Sequence, residues 1–410
     1  MTTVAFIVLV IAAVPATMSC CYLLALTLLS GKLAAQRPAS RTIRFDLIVP
    51  AHDEAPIIER TIASLQRIDW PNDRFRIVVI ADNCTDATAS VAALAGAEVL
   101  ERNDPSRRGK GYALQHGFAT SRERRWADAV VVVDADSDVS PNILAAFAAR
   151  IQTGHYAVQA HYGVRNPMAS WRTRLITIAT AAFMQLRSCA RERLHLSCGI
   201  RGNGWCATHR LLELVPYRAF SLAEDVEYGI AIGLAGHRVA YADEAHAYSD
   251  MVAGADVAGT QRQRWEHGRF QLVRAQTIPL LAHALRRRSG LCLDLAVDLL
   301  VLPLSYVALN VIGLAILAAV GHWSRLSSAW FLWIAAGCFA CLLLHVCRGW
   351  QLSGVGIRGV WDLARVPWFL IWKLCLNLRR RESRDWVRTQ RERSQGEGCP
   401  NERKPGDRNP

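Results

Sequence analysis

No charged residue occurs from position 2 to position 30, and most of the residues in that run are apolar. The length suits a helix crossing a bilayer core of ~30 Å. Two further apolar runs lie late in the chain, over 291–320 and 329–346. The first of these carries Asp294 and Asp298 near its start and Pro303 inside it. Those acids are expected at the interface or against other helices, because charge in hydrocarbon is costly. A fourth stretch, 355–378, mixes Asp362, Arg365 and Lys373 with Trp361, Trp368, Phe369 and Trp372. It reads as a helix lying in the interface or associated with the membrane. Trp323, Trp330, Trp333 and Trp350 stand near segment ends, as an aromatic belt requires.

Between these segments the pattern changes to short apolar runs alternating with amphipathic ones. Strands are expected over 45–50, 76–81, 97–101, 129–133, 156–162 and 238–242, and helices over 56–67, 86–95 and 111–122. Ile58, Ile62 and Leu65 fall on one face of the first helix, and Pro56 suits its first turn. The run 129–133 is apolar throughout, as in a strand buried on both faces. This alternation predicts an α/β fold with a mostly parallel sheet covered by helices on both sides. The arginine-rich segment 171–194 reads as helix packed at a membrane surface.

The resulting organisation is a transmembrane helix over 1–31, a cytoplasmic domain over 44–275, an interfacial segment over 276–290 and two transmembrane helices over 291–347. The membrane-associated helix 355–378 and a charged tail over 379–410, without a packed core, complete it. A cleaved leader fits the first run poorly, since no basic residue precedes it and it exceeds the usual ~7–15 apolar residues.

Charge fixes the expected orientation. Lys32, Arg37, Arg41 and Arg44 follow the first run, Arg286, Arg287 and Arg288 precede the second, and Arg379, Arg380 and Arg381 follow the last. The positive-inside rule then predicts a multi-pass protein of the cell membrane, with its central domain and tail in the cytoplasm and its N-terminus outside. The net charge of +13 reflects these flanks and sites for anions and lipid headgroups. No nucleic-acid motif accompanies it, and no nucleic-acid partner is expected. The cysteines are scattered, and Cys338-x-x-Cys341 lies in an apolar run without a second pair, which reads as packing.

Candidate chemistry falls after the predicted strands, where open α/β sheets bind ligands. His52-Asp53-Glu54 follows the first, Asp82 the second, and Asp134-Ala135-Asp136 the fourth. Two carboxylates two residues apart can reach one pocket, and Mg²⁺ or Mn²⁺ takes hard oxygen ligands and phosphate. Asp136 is the expected metal ligand and Asp134 the expected nucleotide contact. Asp82 can accept from a base or ribose, with Asp86 behind it as a helix cap. The loop 107–111 places Lys110 at a helix start, which favours a phosphate. Glu224-Asp225 offers a carboxylate that can take the proton of an attacking hydroxyl. Asp225 is the expected base, although spacing alone leaves the two interchangeable. Downstream, Gln261-x-x-Arg264-Trp265 supplies a cation for a departing diphosphate and a ring for a sugar face. The glycine-rich turn 199–205 suits a backbone lining an acceptor site.

Taken in order over 45–269, these motifs resemble the membrane-embedded family 2 glycosyltransferases, akin to cellulose and hyaluronan synthases. The resemblance implies a GT-A-type domain, a nucleotide-sugar donor that is usually UDP-linked, a divalent metal (Mg²⁺ or Mn²⁺) and inversion at the anomeric carbon. Residue by residue, it implies that Pro50, His52, Glu54, Asp82, Lys110 and Asp134 contact the nucleotide, His52 and Asp82 flanking the uracil. It further implies that Asp136 holds the metal, Asp225 with Glu224 serves as base, and Gln261, Arg264 and Trp265 serve the diphosphate and acceptor. Ala223 stands where the family often has Thr, and Asp53 where Asn is common. Polymer-extruding members also carry more membrane helices. The expected function is sugar transfer to a growing cell-surface polysaccharide, with partner subunits of an export complex. The rival is a single transfer to a lipid such as a polyprenyl phosphate or glycolipid, and a non-catalytic nucleotide-sugar-binding regulator comes after both.

Overall fold

The structure, a computed structural model, describes residues 3–34, 36, 39–251 and 255–368, and for 255–265 the helical backbone only. The chain opens with α1 (Thr3–Leu29) and continues through β1 (Phe45–Ala51), α2 (Ile58–Gln66), β2 (Phe75–Asp82), α3 (Thr88–Leu94), β3 (Glu98–Arg102), α4 (Lys110–Arg124) and β4 (Ala129–Val132). Then come β5 (Ser137–Val139), α5 (Ile143–Gln152), β6 (Ala157–Val164), α6 (Trp171–Thr180), a π-helical turn at Ala181–Leu186, and α7 (Arg187–Arg193). The central domain closes with β7 (Trp205–Thr208), α8 (His209–Leu214), α9 (Glu224–Leu234) and β8 (Val239–Ser249). Five helices follow: α10 (Ala255–Arg287), α11 (Gly290–Leu300), α12 (Leu304–Trp323), α13 (Trp330–Ser353) and α14 (Ile357–Leu363).

The eight described strands form one sheet in the order β3-β2-β1-β4-β7-β6-β8-β5. The β3-β2-β1-β4 half is parallel. β7 then inserts antiparallel between β4 and β6, and β5 pairs antiparallel with β8, so the sheet is mixed. Alternation along β1 explains the two layers. Leu47 and Val49 face Ile58, Ile62 and Leu65 of α2 and Phe147 of α5. Ile48 faces the opposite way, toward Leu114 and Phe118 of α4 and Trp205 of β7. Each such side chain, fully buried, contributes about 1.5–3 kcal/mol. Gly117 lets α4 approach closely: a Cβ there would stand 2.8 Å from Ile48 Cγ2.

Asp46 is buried at the start of β1, where Arg76 forms two hydrogen bonds to its carboxylate at 2.8 and 2.9 Å. The Arg76 guanidinium in turn lies 4.1 Å from the Trp126 ring centroid. The charge is thereby paired rather than left bare in the core.

Three helices, Thr3–Leu29, Leu304–Trp323 and Trp330–Ser353, are long and apolar enough to cross a membrane. Twenty residues rise about 30 Å, which matches the hydrocarbon core. Leu9, Ala13 and Ala16 of α1 pack with Val311 and Leu314 of α12 and Ala335 of α13, so the middle of this bundle is filled. The apolar run expected as one span over 291–320 is two helices. The chain breaks at 301–303, where Pro303 lacks the N–H that a continuing helix needs. α11 therefore stands apart from the span and packs on α9, where Leu295 seats on Gly233; a Cβ at Gly233 would lie 2.3 Å from its Cδ1. Likewise the stretch 171–194 is not one α-helix: a capping box of Ser170 and Thr173 starts it, and the π-turn interrupts it. The tail from 369, including Phe369, Trp372 and Lys373, lies outside the described residues.

Candidate active site

The parallel half of the sheet ends its strands on one edge, and the acidic residues leave the sheet there. On β1 and β2 the two chain exits meet. His52 Nδ1 donates to the Asp82 carbonyl at 2.7 Å, so His52 and Asp82 are neighbours. Asp82 lies in register with Arg102 of β3, whose Nη1 reaches its Oδ1 at 2.5 Å. Asp53 and Asn83 both adopt left-handed backbone, with φ of 53° and 51°, which turns the two loops away from the sheet. Pro50 pairs with Ile80 inside the sheet, and the Glu54 N–H donates to Thr88 Oγ1 at 2.8 Å.

Asp53, Cys84 and Asp86 gather oxygen and sulfur atoms within 4.8 Å of one another. Their carboxylates already have work in the loop. Asp53 accepts from the Thr85 and Asp86 N–H groups at 2.6 and 3.3 Å, which helps hold its carboxyl below the usual range although burial opposes this. Asp86 accepts from the Thr88 N–H and hydroxyl; it is not the cap expected from the sequence, since Ala87 is the N-cap residue of α3 and no side chain caps it.

The charged cluster itself gathers beyond β4. Asp134 and Asp136 are both half-buried, and the Asp134 N–H donates to Asn203 Oδ1 at 3.0 Å. Lys110, at the start of α4, is the hub. Its Nζ lies 2.5 Å from Asp134 Oδ1, 2.6 Å from the Gly202 carbonyl and 3.9 Å from Glu224 Oε1. One ammonium thus joins β4, the glycine-rich loop and the first turn of α9. Gly202 has φ of +84°, and a Cβ there would stand 3.4 Å from Asp225 Oδ2, which places the loop directly against that carboxylate. Buried Gln159 of β6 holds the loop in shape, accepting from the Arg201 N–H at 2.8 Å and donating to the Asn203 carbonyl at 2.7 Å.

Electrostatics in this cluster follow from burial. Desolvation raises the Asp134 carboxyl; Lys110 opposes the shift, and Asp136 adds to it. Burial likewise pushes Glu224 up to about 7, against the pull of Lys110, and raises Asp225. Tyr162, beside the two β4 acids, is raised by burial and by their charges. A divalent cation fits this donor set, because it would relieve the repulsion between two hard carboxylates set two residues apart.

Among the sequence-predicted residues the structure therefore brings Lys110, Asp134, Glu224 and Asp225 together, with Asp136 on the same strand exit and His52 with Asp82 at the neighbouring one. Gln261, Arg264 and Trp265 fall on the backbone of α10, and their side chains lie outside the described residues. Sequence reasoning missed Arg102, Gln159 and Asn203. Only the register of β3 on β2 reveals Arg102, whereas Asn203 sat inside the glycine-rich turn already singled out.

A family model described as glycosyltransferase like family 2 matches residues 43–268. The chain belongs to this family. Its mixed eight-stranded α/β sheet is GT-A-like. Among curated relatives of this family 2 glycosyltransferase, the probable glycosyltransferase YdaM of Bacillus subtilis is 26% identical over 243 residues, covering 56% of either chain. A beta-monoglucosyldiacylglycerol synthase of Synechocystis is 25% identical, covering 55% of this chain and 47% of its own. A probable glucomannan 4-beta-mannosyltransferase of Arabidopsis thaliana is 22% identical, over 57% and 45%. The chain spans about half the length of these relatives. Among solved structures, a mannosyltransferase of Pyrobaculum calidifontis in complex with GDP-Man and Mn²⁺ is similar, with TM-score 0.49 and 19% identity over 83% of this chain and 97% of that one. A glucosyl-3-phosphoglycerate synthase of Mycobacterium tuberculosis, with Mn²⁺, UDP and phosphoglyceric acid, gives TM-score 0.38 and 21% identity over 55% and 77%.

Proposed function

We propose that this chain is a membrane-bound transferase that moves a sugar, with inversion, from a nucleotide donor, probed first as UDP-linked, to an acceptor held at the cytoplasmic face. The carrying observation is the single lysine that touches Asp134, Gly202 and Glu224, because it ties the strand end suited to a donor to the helix suited to a base. His52 and Asp82 would flank the nucleotide base, with Pro50 and Glu54 in the same wall, and Asp134 would face the nucleotide. Asp136 would hold Mg²⁺ or Mn²⁺, which when bound supplies charge neutralisation for the diphosphate.

The chain's own residues account for the remaining chemistry. The Asp225 carboxylate takes the proton of the acceptor hydroxyl as that oxygen gives its electron pair to the anomeric carbon. The bond from that carbon to the diphosphate oxygen breaks on the opposite side, and its electron pair leaves with the diphosphate. Lys110, and Arg264 by the family pattern, would steady that growing charge. Glu224 stands beside Asp225, its carboxyl raised by burial and by the charge of Asp225, against the pull of Lys110.

The acceptor reading shifts from an extruded polysaccharide toward a lipid-held molecule. The filled core of α1, α12 and α13 favours an acceptor arriving from the bilayer over a polymer threaded through one subunit. Purified full-length protein, incubated with Mn²⁺ and UDP-glucose, UDP-N-acetylglucosamine or GDP-mannose, is expected to bind the nucleotide and turn over one donor. Replacing Asp225 by Asn should remove turnover by at least a hundredfold and leave UDP affinity within about threefold. Retained turnover in D225N would remove the base assignment, and no nucleotide binding at all would remove the whole reading. A single lipid-soluble product supports the lipid acceptor, and a ladder of products supports the polysaccharide.

A further inference from the structure

Two carboxylates leave β4 on one short turn, and most of the turn's own backbone is already engaged. The Ser137 N–H donates to the Asp134 carbonyl at 3.1 Å, which closes a turn with the acids at its first and third positions. From α2, Thr61 Oγ1 donates to the Ala135 carbonyl at 2.7 Å, and Arg60 Nη2 donates to the Asp136 carbonyl at 3.3 Å. Lys110 holds the Asp134 carboxylate. None of these contacts reaches the Asp136 carboxylate.

Asn203 supplies that link. It is fully buried, and so is Ser137 beside it. Asn203 Oδ1 accepts the Asp134 N–H at 3.0 Å, while its Nδ2 donates to Ser137 Oγ at 2.7 Å and to Ser249 Oγ at 3.2 Å. Ser137 Oγ in turn donates to Asp136 Oδ1 at 3.2 Å. The direction of each bond is forced. A backbone N–H can only donate, so the amide must turn its oxygen to Asp134 and its nitrogen to the two serines. The Ser137 hydroxyl accepts from that nitrogen and keeps its one hydrogen for the Asp136 carboxylate. One amide thus grips both acids, the first through its backbone and the second through a hydroxyl.

The amide is itself built into the sheet. The Gly204 N–H donates to the Val132 carbonyl at 3.0 Å, the Ala160 N–H donates to the Gly204 carbonyl at 2.8 Å, and Gln159 takes the Asn203 carbonyl. Residues 203 and 204 are therefore anchored to both β4 and β6. Two carboxylates held close repel each other until a cation lies between them, so a loosely held turn would spread them. A turn fixed beforehand spares the ion the work of gathering its ligands.

We propose that Asn203 is the positioning residue of the Asp134–Asp136 turn, and that it sets divalent-cation affinity through the Ser137 hydroxyl. The proposal rests on the reading of Asp136 as the metal ligand, and its test separates the two.

The test titrates Mn²⁺ into the full-length protein in detergent micelles with UDP present. Loss of the free-ion electron paramagnetic resonance signal is followed against a blank of UDP alone, and Tm is measured without metal. Asn203→Ala is expected to weaken Mn²⁺ about tenfold and Ser137→Ala about threefold or more, as loss of a support behind a ligand does. The double variant should bind within about twofold of Asn203→Ala, because both changes break one chain of bonds. In Ser137→Ala, added Mn²⁺ should restore turnover of the donor that wild type accepts, with the cation midpoint displaced and the plateau regained. Should Asn203→Ala fail to fold, Ser137→Ala decides, since it leaves the bond from Asp134 to Asn203 in place.

Wild-type Mn²⁺ affinity in both alanine variants would overturn the positioning role. So would losses that add in full in the double variant, or a turnover plateau that stays low at every Mn²⁺ concentration with Tm depressed, for the amide would then be a packing element alone. Asp136→Ala tests the metal reading by itself. Undiminished Mn²⁺ binding in that variant would sink the metal assignment, whereas binding lost there and intact in both alanine variants would sink only the role of Asn203.

Discussion

Glu224 shows what burial does to one acid of the cluster. Its carboxyl, pushed up to about 7 by burial, keeps its proton in the folded protein at pH values where an unfolded glutamate has lost it. Folding therefore holds extra protons between the ordinary glutamate value and about 7, and this contribution to stability declines as pH rises through that window. Catalysis runs the other way, because a base must be ionised to accept a proton. Burial raises the carboxyl of Asp225, the proposed base, so kcat/KM is expected to rise with pH above the range of an ordinary aspartate, a limb that E224Q should retain. The same variant should melt at or above wild type at pH 8, since the charging cost is gone; a lower Tm would show that Glu224 is held by contacts rather than strained by burial. Asp82 shows what a sequence reveals of a residue. Its place at a strand end was readable from the apolar run before it, but its partner Arg102 was not, because a salt bridge across a parallel ladder depends on register.

At the scale of elements, the strands with clear apolar runs and the helices with clear periodicity were legible: 45–50, 76–81 and 129–133 each correspond to a described strand. β5 and β7 were not, being three and four residues long, too short to show a period, and formed by pairing with β8, β4 and β6. The break between α11 and α12 was hidden for a different reason. Hydropathy sums the run and overlooks that Asp294 and Asp298 have partners on α7, while Pro303 alone did not decide between a kink and an end. α4 offers a direct test of how elements carry the site. Gly117→Val adds atoms where even a Cβ would stand 2.8 Å from Ile48 and 3.2 Å from Ile80. Overpacking of this kind costs about 1–3 kcal/mol. We expect a lower Tm and a raised donor KM, because α4 begins at Lys110; an unchanged KM with a lowered Tm would separate helix placement from the site.

For the molecule as a whole, the three apolar runs, the α/β centre and the order of acidic motifs were all in the sequence, and family membership agrees with the α/β centre. What the sequence could not convey is the joint between the parts, because it is made of charges from α7, α10 and α11 that are remote in the chain. Orientation is open to measurement. Ser328, exposed between α12 and α13, is expected outside, and Ser106, exposed in the central domain, inside. Cysteine placed at 328 should react with an impermeant maleimide on intact cells, and cysteine placed at 106 only after permeabilisation; the reverse pattern would invert the topology. The seating of Leu295 on Gly233 then has a mechanical meaning. A span tilts when the surrounding bilayer thins or thickens, and α12 is joined to α11 by three residues. α11 meets α9 through a leucine methyl group that leaves no slack, so the lean of a lipid-embedded rod is passed to the turn that carries the carboxylates. If α12 spans the bilayer as proposed, the thickness of the host membrane becomes one of the settings of the proposed transfer.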